Sequence, residues 1–126
     1  MTVQTLTIPG EFPTLNSVLA ATKRHWSLYS TTKRQMTTKA SYIAKRNLRP
    51  IDGPVDLEFA WTAKSKRIDP DNISHGAKYV IDGLVQAGIL SDDSRKVVRS
   101  LSHTFPPPDR KHPRVVVTLR DDYEQE

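Results

Sequence analysis

Residues 55–61, Val55-Asp56-Leu57-Glu58-Phe59-Ala60-Trp61, place Val55, Leu57, Phe59 and Trp61 at every second position. Successive side chains of a strand point to opposite faces, so these four share one face that must be covered. The segment is therefore predicted to be a strand with one packed face, entered after the interruptions at Pro50 and Gly53.

The rest of the chain is read outward from this strand. Upstream, Val3–Ile8 is predicted as a strand that stops at Pro9-Gly10. The irregular stretch Glu11–Tyr29, with Pro13, Asn16 and the cluster Lys23-Arg24-His25-Trp26, is expected to form a long loop. Thr31–Leu48 spaces Met36, Ala40, Ile43, Ala44 and Leu48 as one apolar stripe of a helix, leaving Lys33, Arg34, Lys39, Lys45 and Arg46 on the remaining surface.

Downstream, Asp71 or Asn72 is a candidate cap for a helix running to about Ala87, with Ile73, Ala77, Val80, Ile81 and Leu84 on its apolar side. Gly88 is a natural stop, and Ser91-Asp92-Asp93-Ser94 reads as an acidic turn. Val97–Phe105 and Arg114–Leu119 are β-rich, joined by the proline-rich segment Pro106–Pro113. The expected order is β-α-β-α-β-β, a single α+β domain over residues 1–126 with a mixed sheet packed against two helices. The acidic tail from Asp121 to Glu126 is expected to fray.

Without cysteine, disulfides, thiolate zinc sites and a cysteine nucleophile are excluded. The start of the chain lacks a basic segment followed by a long apolar run, and the expected compartment is the cytoplasm. The net charge of +5 is uneven: residues 1–50 carry eight Lys or Arg against the single acid Glu11, and residues 51–126 carry eleven against thirteen acids. The basic part attracts polyanions, and no amphipathic helix with a bulky apolar face accompanies it to suggest a membrane surface.

Against this basic background stands Arg67-Ile68-Asp69-Pro70-Asp71-Asn72, followed by Asp92-Asp93. Crowded carboxylates repel, and a hard divalent cation relieves that cost. Mg²⁺ or Mn²⁺ takes oxygen ligands of this kind. Pro70 is expected to keep Asp69 extended and to delay the helix, so that Asp69 and Asp71 face one side. On the helix that follows, Lys78 and Asp82 share a face with Asp71, and Lys78 either assists charge at a phosphate or pairs with Asp82 at i, i+4.

Simpler readings of each piece are a turn and a helix cap for Asp69 and Asp71, and an ordinary acidic turn for Asp92-Asp93. A calcium loop counted from Asp69 fails, because its sixth position is Ser74 and its twelfth is Val80. His25, His75, His103 and His112 have no ligand spacing on a common element. No phosphate-cradling glycine loop and no G-x-S-x-G turn is present.

Taken together, Asp69-Pro70-Asp71-Asn72, Lys78, Asp82-Gly83-Leu84, Ala87-Gly88 and Asp92-Asp93 resemble the RusA family of Holliday junction resolvases. Ile8-Pro9-Gly10 followed by Pro13 and Asn16 looks like the start of that family. The resemblance implies metal binding and catalysis by Asp69, Asp71, Asp93 and Lys78, with Asp92 as a neighbouring ligand. It further implies Mg²⁺ or Mn²⁺, a homodimer, and paired nicks across a four-way DNA junction, whose approximate two-fold symmetry a dimer matches. One departure is visible: the family's best-known pattern has the lysine four residues after the second aspartate, whereas Lys78 follows Asp71 by seven, as though Ser74-His75-Gly76 were inserted.

The resulting expectation is a metal-dependent, structure-selective DNA endonuclease. Asn16, Lys23, Arg24, Lys33, Arg34, Lys39 and Arg67 are expected to contact DNA, while Trp26 and Tyr29 either stack on bases or simply pack. The rival expectation is a non-catalytic, phage-type DNA-binding protein whose acids only cap and turn.

Overall fold

In the computed structural model, which describes residues 3–121, the chain forms strand β1 (Val3–Pro9), helices α1 (Leu15–Arg24) and α2 (Trp26–Asn47), and strand β2 (Val55–Thr62). Helices α3 (Pro70–Ser74) and α4 (Ala77–Gln86) and strands β3 (Val98–Thr104) and β4 (Arg114–Arg120) follow. The sheet order is β1-β4-β2-β3; β2 and β3 run parallel and the other neighbours antiparallel. The α+β class and mixed sheet expected from the sequence are what the chain adopts. The acidic tail lies outside the described residues beyond Asp121.

The alternation in β2 sends Val55, Leu57, Phe59 and Trp61 into the core, where Leu6 and Ile8 of β1 and Val115, Val117 and Leu119 of β4 join them. Ala40 and Ala44 of α2 and Val80 and Leu84 of α4 cover this face. Each fully buried large aliphatic contributes roughly 1.5–3 kcal/mol. The opposite face of the sheet is polar, with Asp56 paired to Arg99 and Glu58 to Arg120. Helices α2 and α4 meet at Gly83, where an added methyl would lie 2.6 Å from the Ala40 Cβ and 2.9 Å from the Ser41 nitrogen.

Residues 11–29 are not a long loop. Thr14 caps α1, its Oγ1 accepting from Ser17 N at 3.2 Å, and α1 ends at His25, whose backbone is extended at φ −162°. His25 then opens α2, its Nδ1 accepting from Ser27 N at 3.2 Å. The helix expected from Thr31 thus begins at Trp26. Leu15, Val18 and Leu19 fall at i, i+3 and i+4 of α1, a short stripe of which only Val18 is buried.

The helix expected from Asp71 or Asn72 to Ala87 is likewise two helices, broken at His75-Gly76. A side chain at Gly76 would lie within 3.1 Å of Phe12 and Trp61, so the break lets the chain pass close over the aromatic core. Pro70 opens α3 instead of delaying it, since its fixed φ and missing N–H suit a first helical position. Asp69, at φ −69° and ψ 148°, is the residue in the N-cap position, without a side-chain cap bond. Gly88, at φ 78°, ends the second helix as expected, with Ile89 N donating to Leu84 O at 2.9 Å.

Candidate functional site

Asp69 and Asp71 stand at the C-terminal end of β2. Asp69 is extended, as a residue before proline should be, while Asp71 lies in the first turn of α3, so the two do not share one face of an extended strand. Both are exposed, and neither has an ion-pair partner among the described residues. Asp71 Oδ1 accepts from Asn72 N at 3.0 Å. Asn72 Oδ1 accepts from Asn16 N at 2.8 Å, which brings the start of α1 against this site. Arg67 is exposed two residues before Asp69, and its backbone N–H donates to Ser65 Oγ at 3.3 Å.

Asp92 and Asp93 are elsewhere in the chain. Because β2 and β3 are parallel neighbours, the connection must leave one end of β2 and enter β3 beside the other. Gly76 abuts Trp61 near the end of β2, whereas Ile89 O accepts from Ile51 N just ahead of β2 and Val97 O accepts from Val55 N. The Asp92-Asp93 turn sits between these last two contacts in sequence. The contacts flanking the two acidic pairs thus fall at opposite ends of β2, a strand of eight residues that spans roughly 25 Å. The sequence leads us to expect the two clusters to converge; the flanking contacts tie their segments to different ends of β2. Among the described residues no three His, Asp or Glu side chains are grouped to hold a metal ion. Asp69, Asp71, Asp92 and Asp93 are hard oxygen donors of the kind a divalent ion takes, carried on two separate segments of the chain.

The Asp92 carboxyl is held below the usual carboxylate range by the Ser94 hydroxyl and by the Asp93 N–H, which donates to Asp92 Oδ1 at 2.8 Å. Lys78 forms the i, i+4 ion pair with Asp82, Nζ to Oδ2 at 3.7 Å. The break at His75-Gly76 means that one continuous helical face no longer relates Lys78 to Asp71.

The basic residues fall into three situations. Lys23 and Arg24 are exposed at the end of α1. Lys33 and Arg34 line a depression of about 280 Å³ between α2 and α4, together with Thr37, Asp82 and Gln86. Lys39 is committed to structure, its Nζ donating to the Pro9 carbonyl where β1 ends. Trp26 is 70% exposed, so packing within the chain does not account for it; Tyr29 lines a cavity between α1 and α2.

A cleft missed in the sequence lies beside Asp69. Its volume is about 390 Å³, and Trp61, Lys66, Ile68, Pro70, Phe105 and Pro107 are among its walls. The segment after β3 is pinned there by Asp109 N, which donates to Ala63 O at 2.9 Å. Burial pushes the Asp109 carboxyl up, but N–H groups of His112 and Lys111 and the Arg114 guanidinium outweigh it and hold the group low. The signal available in the sequence was Phe105-Pro106-Pro107-Pro108, an aromatic next to a run whose backbone is stiff.

No helix among the described residues is long and apolar enough to cross a membrane. A scan of the chain against protein-family models gives no match, and comparison with curated proteins gives none.

Proposed function

We propose that this protein is a metal-dependent, structure-selective DNA endonuclease that resolves four-way junctions as a homodimer. The observation that carries the reading is the exposed pair Asp69 and Asp71, without cationic partners among the described residues, beyond the end of β2 beside Lys66, Arg67 and the cleft. Unpaired carboxylates in a basic setting suit a hard cation shared with a phosphodiester. The motif resemblance over Asp69 to Asp93 points the same way.

The attachment of the two acidic segments near opposite ends of β2 sets a condition on this reading. The Asp92-Asp93 turn of one protomer has to meet Asp69 and Asp71 of its partner, so that each centre is built from two chains. A two-fold assembly makes two such centres, matching two symmetric nicks in a junction with the same symmetry. Lys23, Arg24, Lys33, Arg34 and Arg67 supply phosphate contacts, which position DNA without reading its sequence. Lys39 and Lys78 are engaged within the chain and are secondary contributors.

The test is nicking of a labelled synthetic four-way junction and a matched duplex, with and without Mg²⁺, by wild type and Asp71→Asn. Paired, Mg²⁺-dependent nicks in the junction that disappear in Asp71→Asn, while junction binding persists, support the enzyme. Junction binding without any metal-dependent product identifies a non-catalytic DNA-binding protein.

A further inference from the structure

Resting on that reading, we infer that the cleft beside Asp69 and Pro70 receives one unstacked nucleobase from the branch point of the DNA. A nucleobase has a flat π-face and little charge, and it binds best against an aromatic ring with apolar walls and a cation near its phosphate. The cleft has this composition. Phe105 lines it while remaining 41% exposed, so its ring still has surface to cover. Trp61, by contrast, is 4% exposed and donates through Nε1 to His103 Nδ1 at 2.8 Å, which leaves Phe105 as the available stacking face.

The wall is rigid before anything binds. Pro106, Pro107 and Pro108 have fixed φ, and the Asp109 N–H bond to Ala63 O ties the segment to the end of β2. A preformed wall loses little entropy on binding. Lys66 in the cleft and Arg67 beside it place positive charge where the phosphates of the extruded nucleotide would run. A volume of about 390 Å³ accommodates a single base and its sugar, and too little remains for stacked base pairs.

A base at a branch point, where the stack is interrupted, costs less to extrude than one inside continuous duplex, so a pocket for one base beside Asp69 and Asp71 favours branched DNA. The cleft then acts in substrate selection, and Phe105 is a specificity-determining residue that does not take part in the chemistry.

The experiment measures binding in EDTA, so that cleavage plays no part. Dissociation constants are compared for four-way junctions carrying either an intact base or an abasic sugar at each nucleotide flanking the branch, with wild type and Phe105→Ala. Wild type is expected to lose about five- to a hundredfold in affinity at one flanking position when the base is removed. Phe105→Ala is expected to bind both junctions alike, at the level of wild type on the abasic one. Wild type indifferent to base removal at every position, or Phe105→Ala retaining the preference, overturns the inference. A photocross-link from 5-iodouracil at the sensitive position provides a second readout: attachment within residues 105–108 or 63–70 supports the cleft, and attachment only elsewhere overturns it. Wild type that nicks junctions yet fails the abasic comparison removes this inference alone. If it binds junction no better than duplex, the endonuclease reading falls and takes the inference with it.

Discussion

Asn72 Oδ1 accepts the backbone N–H of Asn16 at 2.8 Å, across 56 positions of sequence. Asn16 N is one of the donors in the first turn of α1 that no helical carbonyl can reach, and Thr14 Oγ1 serves another through Ser17 N. The cap of the helix that ends in Lys23 and Arg24 is therefore shared with α3, whose N-cap and first turn bear Asp69 and Asp71. Asn72→Ala is expected to cost about 1 kcal/mol in urea unfolding, with Asn72→Asp costing less because an acceptor is retained at a helix N-terminus. Equal losses in the two variants would contradict the capping role.

Gly83 provides a sharper test of the packing between α2 and α4. Alanine favours an isolated helix by about 1 kcal/mol, yet here its methyl would overlap Ala40 and the backbone at Ser41. Gly83→Ala is expected to destabilise by roughly 1–3 kcal/mol, the range for overpacking, and chemical denaturation measures it. A stabilising result would mean that the helices separate without cost.

The Tyr79 hydroxyl is buried without a hydrogen-bond partner among the described residues, and burial together with neighbouring Tyr29 pushes its pKa up. Tyr79→Phe removes an unsatisfied group and keeps the ring stacked on Phe12 at 5.9 Å. Thermal unfolding is expected to show a gain of about 1 kcal/mol. A clear loss would show that the hydroxyl has a partner, such as an ordered water.

On the polar face of the sheet, the Arg99 guanidinium and the Ser100 hydroxyl hold Asp56 below the usual carboxylate range. Its folded pKa is depressed, so its contribution is present above the unfolded value near 4 and is lost as pH falls through the folded value. Asp56→Asn should flatten the acid limb of the stability profile below about pH 4, while costing at most about 1 kcal/mol at neutral pH. An unchanged acid limb in a pH series of denaturant melts would remove Asp56 as its source.

How legible these features were in the sequence follows from how local their causes are. Strand β2 could be read directly because Val55, Leu57, Phe59 and Trp61 are all buried in one register, and β1 and β4 follow the same period. Helix α1 was missed although Thr14 and the spacing of Leu15, Val18 and Leu19 signal it, because the stripe is short and part of the cap comes from the distant Asn72. The break at His75-Gly76 answers to contacts with Phe12 and Trp61, which no helical periodicity contains. For the site, Asp69, Asp71, Asp92 and Asp93 were named from their spacing, but the parallel pairing of β2 with β3 determines which ends of β2 their segments flank, and that pairing is a tertiary fact. The cleft escaped notice because residues 61–73 and 105–108 build it jointly.

The central claim, a metal centre assembled from two chains, is tested most directly by mixing two variants. Asp71→Asn and Asp93→Asn are each expected to leave junction nicking undetectable alone. In a mixed dimer one centre contains both substitutions, and the other pairs the intact Asp71 of one protomer with the intact Asp93 of its partner. Refolding the two together is therefore expected to restore roughly a quarter of wild-type Mg²⁺-dependent nicking, as single cuts instead of paired ones. A mixture that stays inactive beside an active wild type would contradict a shared centre, and a wild type that never nicks the junction would contradict the endonuclease itself.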